Sequence, residues 1–224
     1  MPDPAPAHET APVVLYLGPL PDEDAPYADT ASPWLRPTQG RAGVEHLLDR
    51  LRAQGFDEIV LLACDTAQWK SAFSSSQPGI RLEVHSAPNS IQALRELSFE
   101  GPDFLFIDQP FRIDFDYSRI LRERRRHSAI AAVTVASKDM TLEYDLVRLD
   151  REGALTGYKH QPSLSNWVSL GATAFSTEVF QWIPKEDIFG MEELIEMLIG
   201  GNRLVHAVSF DGTWTDLRDP HNNR

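Results

Sequence analysis

The chain has 224 residues, 42% of them hydrophobic and 24% charged, which suits a folded globular protein and excludes wholesale disorder. Lys plus Arg is 21 against Asp plus Glu 33, a formal net charge of −12, which argues against a general binder of nucleic acid or of anionic membrane. Cys64 is the single cysteine, so an internal disulfide framework and a cysteine-based zinc site are both excluded. No apolar run approaches the roughly 20 residues of a membrane helix, and no apolar signal core opens the chain, so the expected location is the cytoplasm.

Residues 1–11 are rich in Pro and Ala and read as a flexible tail; residues 12–224 read as a single domain. Residues 13–17 (VVLYL) form an unbroken apolar run, the pattern of a strand buried on both faces. Residues 18–33 carry four prolines and a carboxylate cluster and read as a long loop. Val44, Leu47, Leu48 and Leu51 repeat at helical spacing, and Gly55 stops that helix. Residues 58–63 read as a second buried strand, 66–73 as a short helix, 81–85 as a strand and 91–97 as a helix. Residues 103–107 (DFLFI) read as another strand, 118–126 as a helix with a basic outer face, and 129–135 as a strand. This alternation predicts a doubly wound, mostly parallel α/β sheet.

After residue 136 the rhythm changes. Residues 142–149 and 154–158 read as a hairpin closed at Asp150–Gly153, 167–175 as a strand, and 191–198 as a helix closed by Gly200 and Gly201. Residues 204–210 and 213–217 read as strands meeting at Asp211 and Gly212. The prediction is a parallel core with a C-terminal antiparallel β insert.

Three segments have more specific wording: GVEHLLDRLRAQGFDEIVL, REGALTGYKHQPSLSNWVSLGATAFSTEVF and VSFDGTWTDLRDP. They resemble the sugar-1-phosphate nucleotidyltransferases, colinearly from about Val13 to Pro220, in the short form that lacks a C-terminal β-helix. The resemblance implies a Rossmann-like fold and the joining of a nucleoside triphosphate to a sugar 1-phosphate, with pyrophosphate released. That chemistry rests on positioning, cationic side chains and Mg²⁺.

The motifs that the resemblance assigns to chemistry depart from the family pattern. Its Gly-rich phosphate loop is Gly18-Pro19-Leu20-Pro21-Asp22-Glu23 here, so Gly18 is kept while Leu20 and Asp22 replace a Gly and an Arg. Asp22, Glu23 and Asp24 put negative charge where a triphosphate would lie, and prolines remove N–H donors. The family's Lys-Pro is Ser32-Pro33, so that lysine is absent, and Arg41 stands where the family often has a Lys in a structural turn and offers a cation near the pocket. The base-reading segment is Asn89-Ser90-Ile91-Gln92-Ala93-Leu94. Asn89, Ser90 and Gln92 are nucleotide-binding candidates there, while Ser90 is equally the N-cap of an ordinary helix. The strand ending in the family's metal-binding Asp has Pro110 at that position, which leaves Asp108 as its substitute at the same strand end; Asp114 and Asp116 read as caps of the next helix. Tyr144-Asp145-Leu146, His160-Gln161-Pro162 and Ser169-Leu170-Gly171 replace the sugar-phosphate motifs, with Gly171 kept as a sugar-binding candidate and His160 left without a partner in the sequence. Trp214-Thr215-Asp216 keeps the family's second metal ligand, Asp216.

Scaffold positions match while chemistry positions fail. The expected function is a pseudoenzyme: a catalytically degraded nucleotidyltransferase-fold protein that binds a nucleotide, a nucleotide sugar or a partner subunit. That partner is another copy in a homo-oligomer or an active nucleotidyltransferase, and the resemblance implies a regulatory role in supplying precursors for carbohydrate biosynthesis. One alternative is an active, divergent transferase using Asp108, Asp216 and Arg41 with Mg²⁺; no cofactor is expected otherwise. The other is an interaction protein with no small ligand.

Overall fold

The computed structural model describes residues 11–18, 32–38, 40–64, 69, 78–85, 87, 89–185 and 190–218. Their strands are β1 (Val13–Tyr16), β2 (Pro37–Thr38), β3 (Arg41–Ala42), β4 (Ile59–Ala63), β5 (Ile80–Val84), β6 (Asp103–Ile107), β7 (Phe111–Ile113), β8 (Ala131–Thr141), β9 (Leu146–Leu149), β10 (Leu155–Lys159), β11 (Ser163–Ser176), β12 (Val205–Ser209) and β13 (Trp214–Asp216). The helices are α1 (Gly43–Ala53), α2 (Ser90–Leu94), α3 (Tyr117–Arg126) and α4 (Met191–Gly200).

Seven strands form the main sheet in the order β12-β8-β11-β6-β1-β4-β5. As the apolar runs predict, β1 lies at the centre of a parallel block, with β4 on one side and β6 on the other. Every residue of β1, β4 and β6 is buried, because helices cover both faces. Val13 and Leu15 face a core with Val44, Leu48 and Leu51 of α1 and Ile120 of α3. Val14 and Tyr16 face a second core with Ile91 and Leu94 of α2 and Leu194 and Leu198 of α4. The period-2 alternation of one strand thus feeds two cores, which makes the sheet doubly wound. β11 is antiparallel to both β6 and β8, and β12 is parallel to β8, so the sheet is mostly parallel.

A buried ion cluster locks α3 to this sheet. Asp103, 1% exposed, accepts hydrogen bonds from the Arg124 guanidinium at 2.7 Å and from Arg125 at 2.6 and 2.8 Å. Burial opposes the charge on Asp103, but the bonds from Arg125 and Arg124 outweigh it and hold the carboxyl below its usual range.

Several expectations need correction. The strands at the C-terminus do not pair with each other. β12 extends the main sheet beside β8, whereas β13 pairs antiparallel with β7. Both are edge positions, which short alternating segments cannot distinguish by sequence. Ala11, read as the end of a tail, is buried in the first core. The strand at 129–135 runs on to Thr141, and the strand at 167–175 begins at Ser163. Their distal halves, with the β9–β10 hairpin, form an exposed arm carrying Tyr144, Leu149, Leu155, Tyr158 and Trp167. Residues 1–10, the acidic residues 22–24 and, apart from the buried Trp69, the helix expected at 66–73 lie outside the described residues.

Candidate functional site

The parallel strands β1, β4, β5 and β6 end on the same edge, where open α/β sheets hold ligands. Asp108 follows β6 there, and two loops close on it. β11 bulges between Ser169 and Thr173, where its register against β8 shifts, and the bulge places Gly171 opposite the end of β6. The Asp108 N–H donates to the Gly171 carbonyl at 3.0 Å. Gly171 has φ +64°, and a Cβ there would lie 2.1 Å from Cβ of Gln109. The glycine is therefore required by the chain's own Gln109, whatever it contributes to a ligand.

On the other side, Trp214, Thr215 and Asp216 pair with Ile113, Arg112 and Phe111, and the Leu217 N–H donates to the Pro110 carbonyl at 2.9 Å. Proline at position 110 cannot ligate a metal through its side chain, but its carbonyl anchors the ribbon that brings Asp216 to the end of β6. Phe111 and Trp214 meet edge to face at 5.3 Å between ring centroids.

Sequence reasoning missed the residue that joins these parts. The Arg218 guanidinium grips both carboxylate oxygens of Asp216, with Nε–Oδ1 and Nη2–Oδ2 both 2.9 Å, and donates from Nη1 to Gln109 Oε1 at 2.8 Å. It also lies over the Phe111 ring at 5.1 Å. Its charge reaches Asp108, whose pKa burial pushes up to about 6 against the bond from the Ser90 hydroxyl at 3.3 Å and the attraction of Arg218. Lys138 of β8 adds a second cation, 5.2 Å from the centre of the Trp214 ring. The spacing Asp216-Leu217-Arg218 just after a strand was the signal that could have revealed Arg218.

The second missed group lies at the ends of β1, β4 and β5. The Cys64 thiol is 3.5 Å from His85 Nε2, and the Tyr16 ring is 5.4 Å from the His85 ring. Burial pushes the Tyr16 hydroxyl and the Cys64 thiol up and the His85 imidazole down. All three are therefore neutral near pH 7, polar and able to hydrogen-bond without adding charge.

The remaining candidates divide. Asn89, not Ser90, is the N-cap of α2: its side-chain oxygen accepts from the Gln92 N–H at 3.0 Å, so that oxygen is committed to the backbone. Ser90 instead turns its hydroxyl to Asp108. Gln92 is half-buried on α2. Gly18 adopts φ +75°, with only the Tyr16 ring within 4 Å of where a Cβ would sit. Arg41 is committed to Glu45 at 3.2 Å and Asp49 at 2.8 Å on α1. Asp116 caps α3, as expected, while Asp114 pairs with Arg50. His160 does have a partner: its Nδ1 is 2.6 Å from Asp145, which also accepts from the Tyr158 hydroxyl and from the Gln161 N–H at 3.2 Å. That trio sits on the exposed arm. A separate surface cleft of about 630 Å³, lined by α1, β7, Thr213 and Thr215, holds none of the sequence candidates.

No protein-family model matches the chain, and no curated protein matches it. Solved structures do. HddC from Yersinia pseudotuberculosis, complexed with GMP-PN, superposes with a TM-score of 0.72 at 14% identity, covering 95% of this chain and 96% of that one. HddC without that addition gives 0.73 with the same identity and coverage. A Bacillus anthracis protein assigned as a glucose-1-phosphate thymidylyltransferase, in complex with a sucrose, gives 0.72 at 15% identity over 95% of this chain and 92% of that one. The chain has the sugar-1-phosphate nucleotidyltransferase-like fold. Among the described residues, no helix is long and apolar enough to cross a membrane.

In a nucleotidyltransferase-like fold the resemblance puts Mg²⁺ between Asp108 and Asp216. The side chains here do not fit that ion. Mg²⁺ needs free carboxylate oxygens at about 2.1 Å and keeps a demanding octahedral shell. Both Asp216 oxygens are taken by Arg218, burial disfavours the charged form of Asp108, and an ion between them would face the guanidinium's like charge.

Proposed function

We propose that this chain binds a nucleotide sugar at the sheet edge without a divalent metal and without transferring a nucleotidyl group. The observation that carries the reading is Arg218 on Asp216 and beside Asp108, a fixed cation where the transferase would use a mobile one. Phosphoryl transfer needs a metal to bridge the phosphates and absorb developing charge. A guanidinium already paired with a carboxylate offers little of that.

Charge also selects the ligand. Asp108, Asp216, Arg218 and Lys138 sum to about zero above pH 6. A triphosphate brings roughly four negative charges to such a site, whereas the diphosphate of a nucleotide sugar brings about two, which costs less desolvation. The neutral set of Tyr16, Cys64 and His85 suits the uncharged hydrogen-bonding edge of a base or sugar.

Thermal shift tests this, because any ligand of the native state raises the melting temperature. One of GDP-, dTDP- and UDP-sugars should raise it, equally in Mg²⁺ and in EDTA, and NTP plus sugar 1-phosphate should release no pyrophosphate. Pyrophosphate release that Asp216→Ala abolishes would instead establish an active, divergent transferase.

A second reading, assembly with another copy, is favoured by the exposed arm, where Tyr144 is 80% and Trp167 64% exposed. Light scattering on the wild type and on Trp167→Ser distinguishes a dimer held by the arm from a monomer.

A further inference from the structure

We propose that Glu123, His127 and His206 form a surface site for one divalent transition-metal ion of the zinc class, at the end of the sheet opposite the ligand edge. The sequence separates these residues widely, and the fold brings them together. Glu123 and His127 are four apart at the end of α3, so one helical turn stacks them on one face, with Oε2 of Glu123 3.5 Å from Nε2 of His127. His206 comes from the edge strand β12, opposite Ala132 of β8. Its neighbour Val205 packs into the second core, while Val208 joins the first, which α3 covers. His206 therefore faces α3, and its ring stacks on that of His127 with centroids 4.0 Å apart and planes 21° from parallel.

One ligand atom from each of the three side chains lies within 4.8 Å of the others. Zinc binds nitrogen and oxygen at about 2.0–2.2 Å in tetrahedral geometry, which puts its ligand atoms roughly 3.4 Å apart. The approach still required is small enough for rotation of partly exposed side chains. Because a metal lies in the plane of each imidazole it binds, the two rings must splay from their stack. Two imidazoles and one carboxylate select Zn²⁺, Co²⁺ or Ni²⁺ over Mg²⁺ and Ca²⁺. The charged neighbour is Arg126, whose guanidinium reaches Glu123 at 3.8 Å and is exposed enough to swing away. Three protein ligands leave a fourth position open to water or to another molecule.

The test uses the full chain without a histidine tag, stripped with EDTA and dialysed. Zn²⁺ is titrated by calorimetry, and a crystal soaked in Zn²⁺ gives its position by anomalous scattering. The expected result is one ion between the three side chains, with affinity reduced at least about tenfold in His206→Ala and in His127→Ala. Melting temperatures in EDTA should be unchanged, which keeps loss of binding apart from loss of folding. If His206→Ala fails to fold, His127→Ala, exposed at the helix end, gives the same reading. Unchanged affinity in His127→Ala, or an anomalous peak elsewhere, such as between Cys64 and His85, overturns the proposal.

Discussion

Replacing Asp108 by Asn should stabilise the protein, and only above acidic pH. In the folded chain the Asp108 carboxyl has a pKa of about 6 against an ordinary 3.8, because burial outweighs the Ser90 bond and the pull of Arg218. A raised acid pKa means that the folded state binds the proton more tightly than the unfolded one. Stability then falls as pH rises from about 4 to about 6 and stays reduced above that. A gap of about two pH units is worth about 3 kcal/mol. Asn keeps an oxygen for the Ser90 hydroxyl and never carries the charge. Urea unfolding at several pH values measures the difference directly. Asp108→Asn should exceed the wild type by about 2–3 kcal/mol at pH 7.5, and the two should converge near pH 4. A difference that is absent, or constant with pH, would refute the claim that Asp108 is desolvated at the end of β6.

Arg218→Ala should move the same pH midpoint upward, since it removes the attraction that lowers the Asp108 pKa, and it should increase Mg²⁺ affinity in calorimetry by freeing the Asp216 oxygens. Asp103→Asn should cost about 3–5 kcal/mol at pH 7 by leaving buried Arg124 without its charge partner. Because the Asp103 pKa is depressed, that stabilisation is present above about pH 4 and is lost as pH falls through the folded value, so mutant and wild type should converge in acid denaturation. Gly171→Ala should cost about 2–4 kcal/mol, combining a left-handed backbone with a clash against Gln109, read as a lower melting temperature.

The fold was legible where burial is symmetrical. Short apolar runs such as VVLYL and FLFI suit strands covered on both sides, and β1 and β6 are such strands. Spacing at i, i+3, i+4 and i+7 gave α1 the buried face it has. Pairing at the edges was not legible, because β12 and β13 are short and partly exposed, and their partners β8 and β7 lie about 70 to 100 residues earlier in the chain. The site was half legible. Asp108 was singled out from its place at the end of a strand and Asp216 from the resemblance of Trp214-Thr215-Asp216 to a family motif, and the fold brings both to the end of β6. Arg218 was not, because a cation two residues beyond a carboxylate reads as an ordinary surface pair until the fold sets it against Gln109 and Phe111. Tyr16, Cys64 and His85 come from three separate strands, and nothing local in the sequence joins them. Gly171 was seen, but its partner was not, since the close approach is to another loop.

Calorimetric titration of GDP-, dTDP- and UDP-sugars into the wild-type chain, once in Mg²⁺ and once in EDTA, tests the central claim most directly. With Arg218 as the fixed cation, one nucleotide sugar should bind with the same Kd, within about twofold, in both buffers. Binding that requires Mg²⁺, or no binding of any of the three in either buffer, would contradict it.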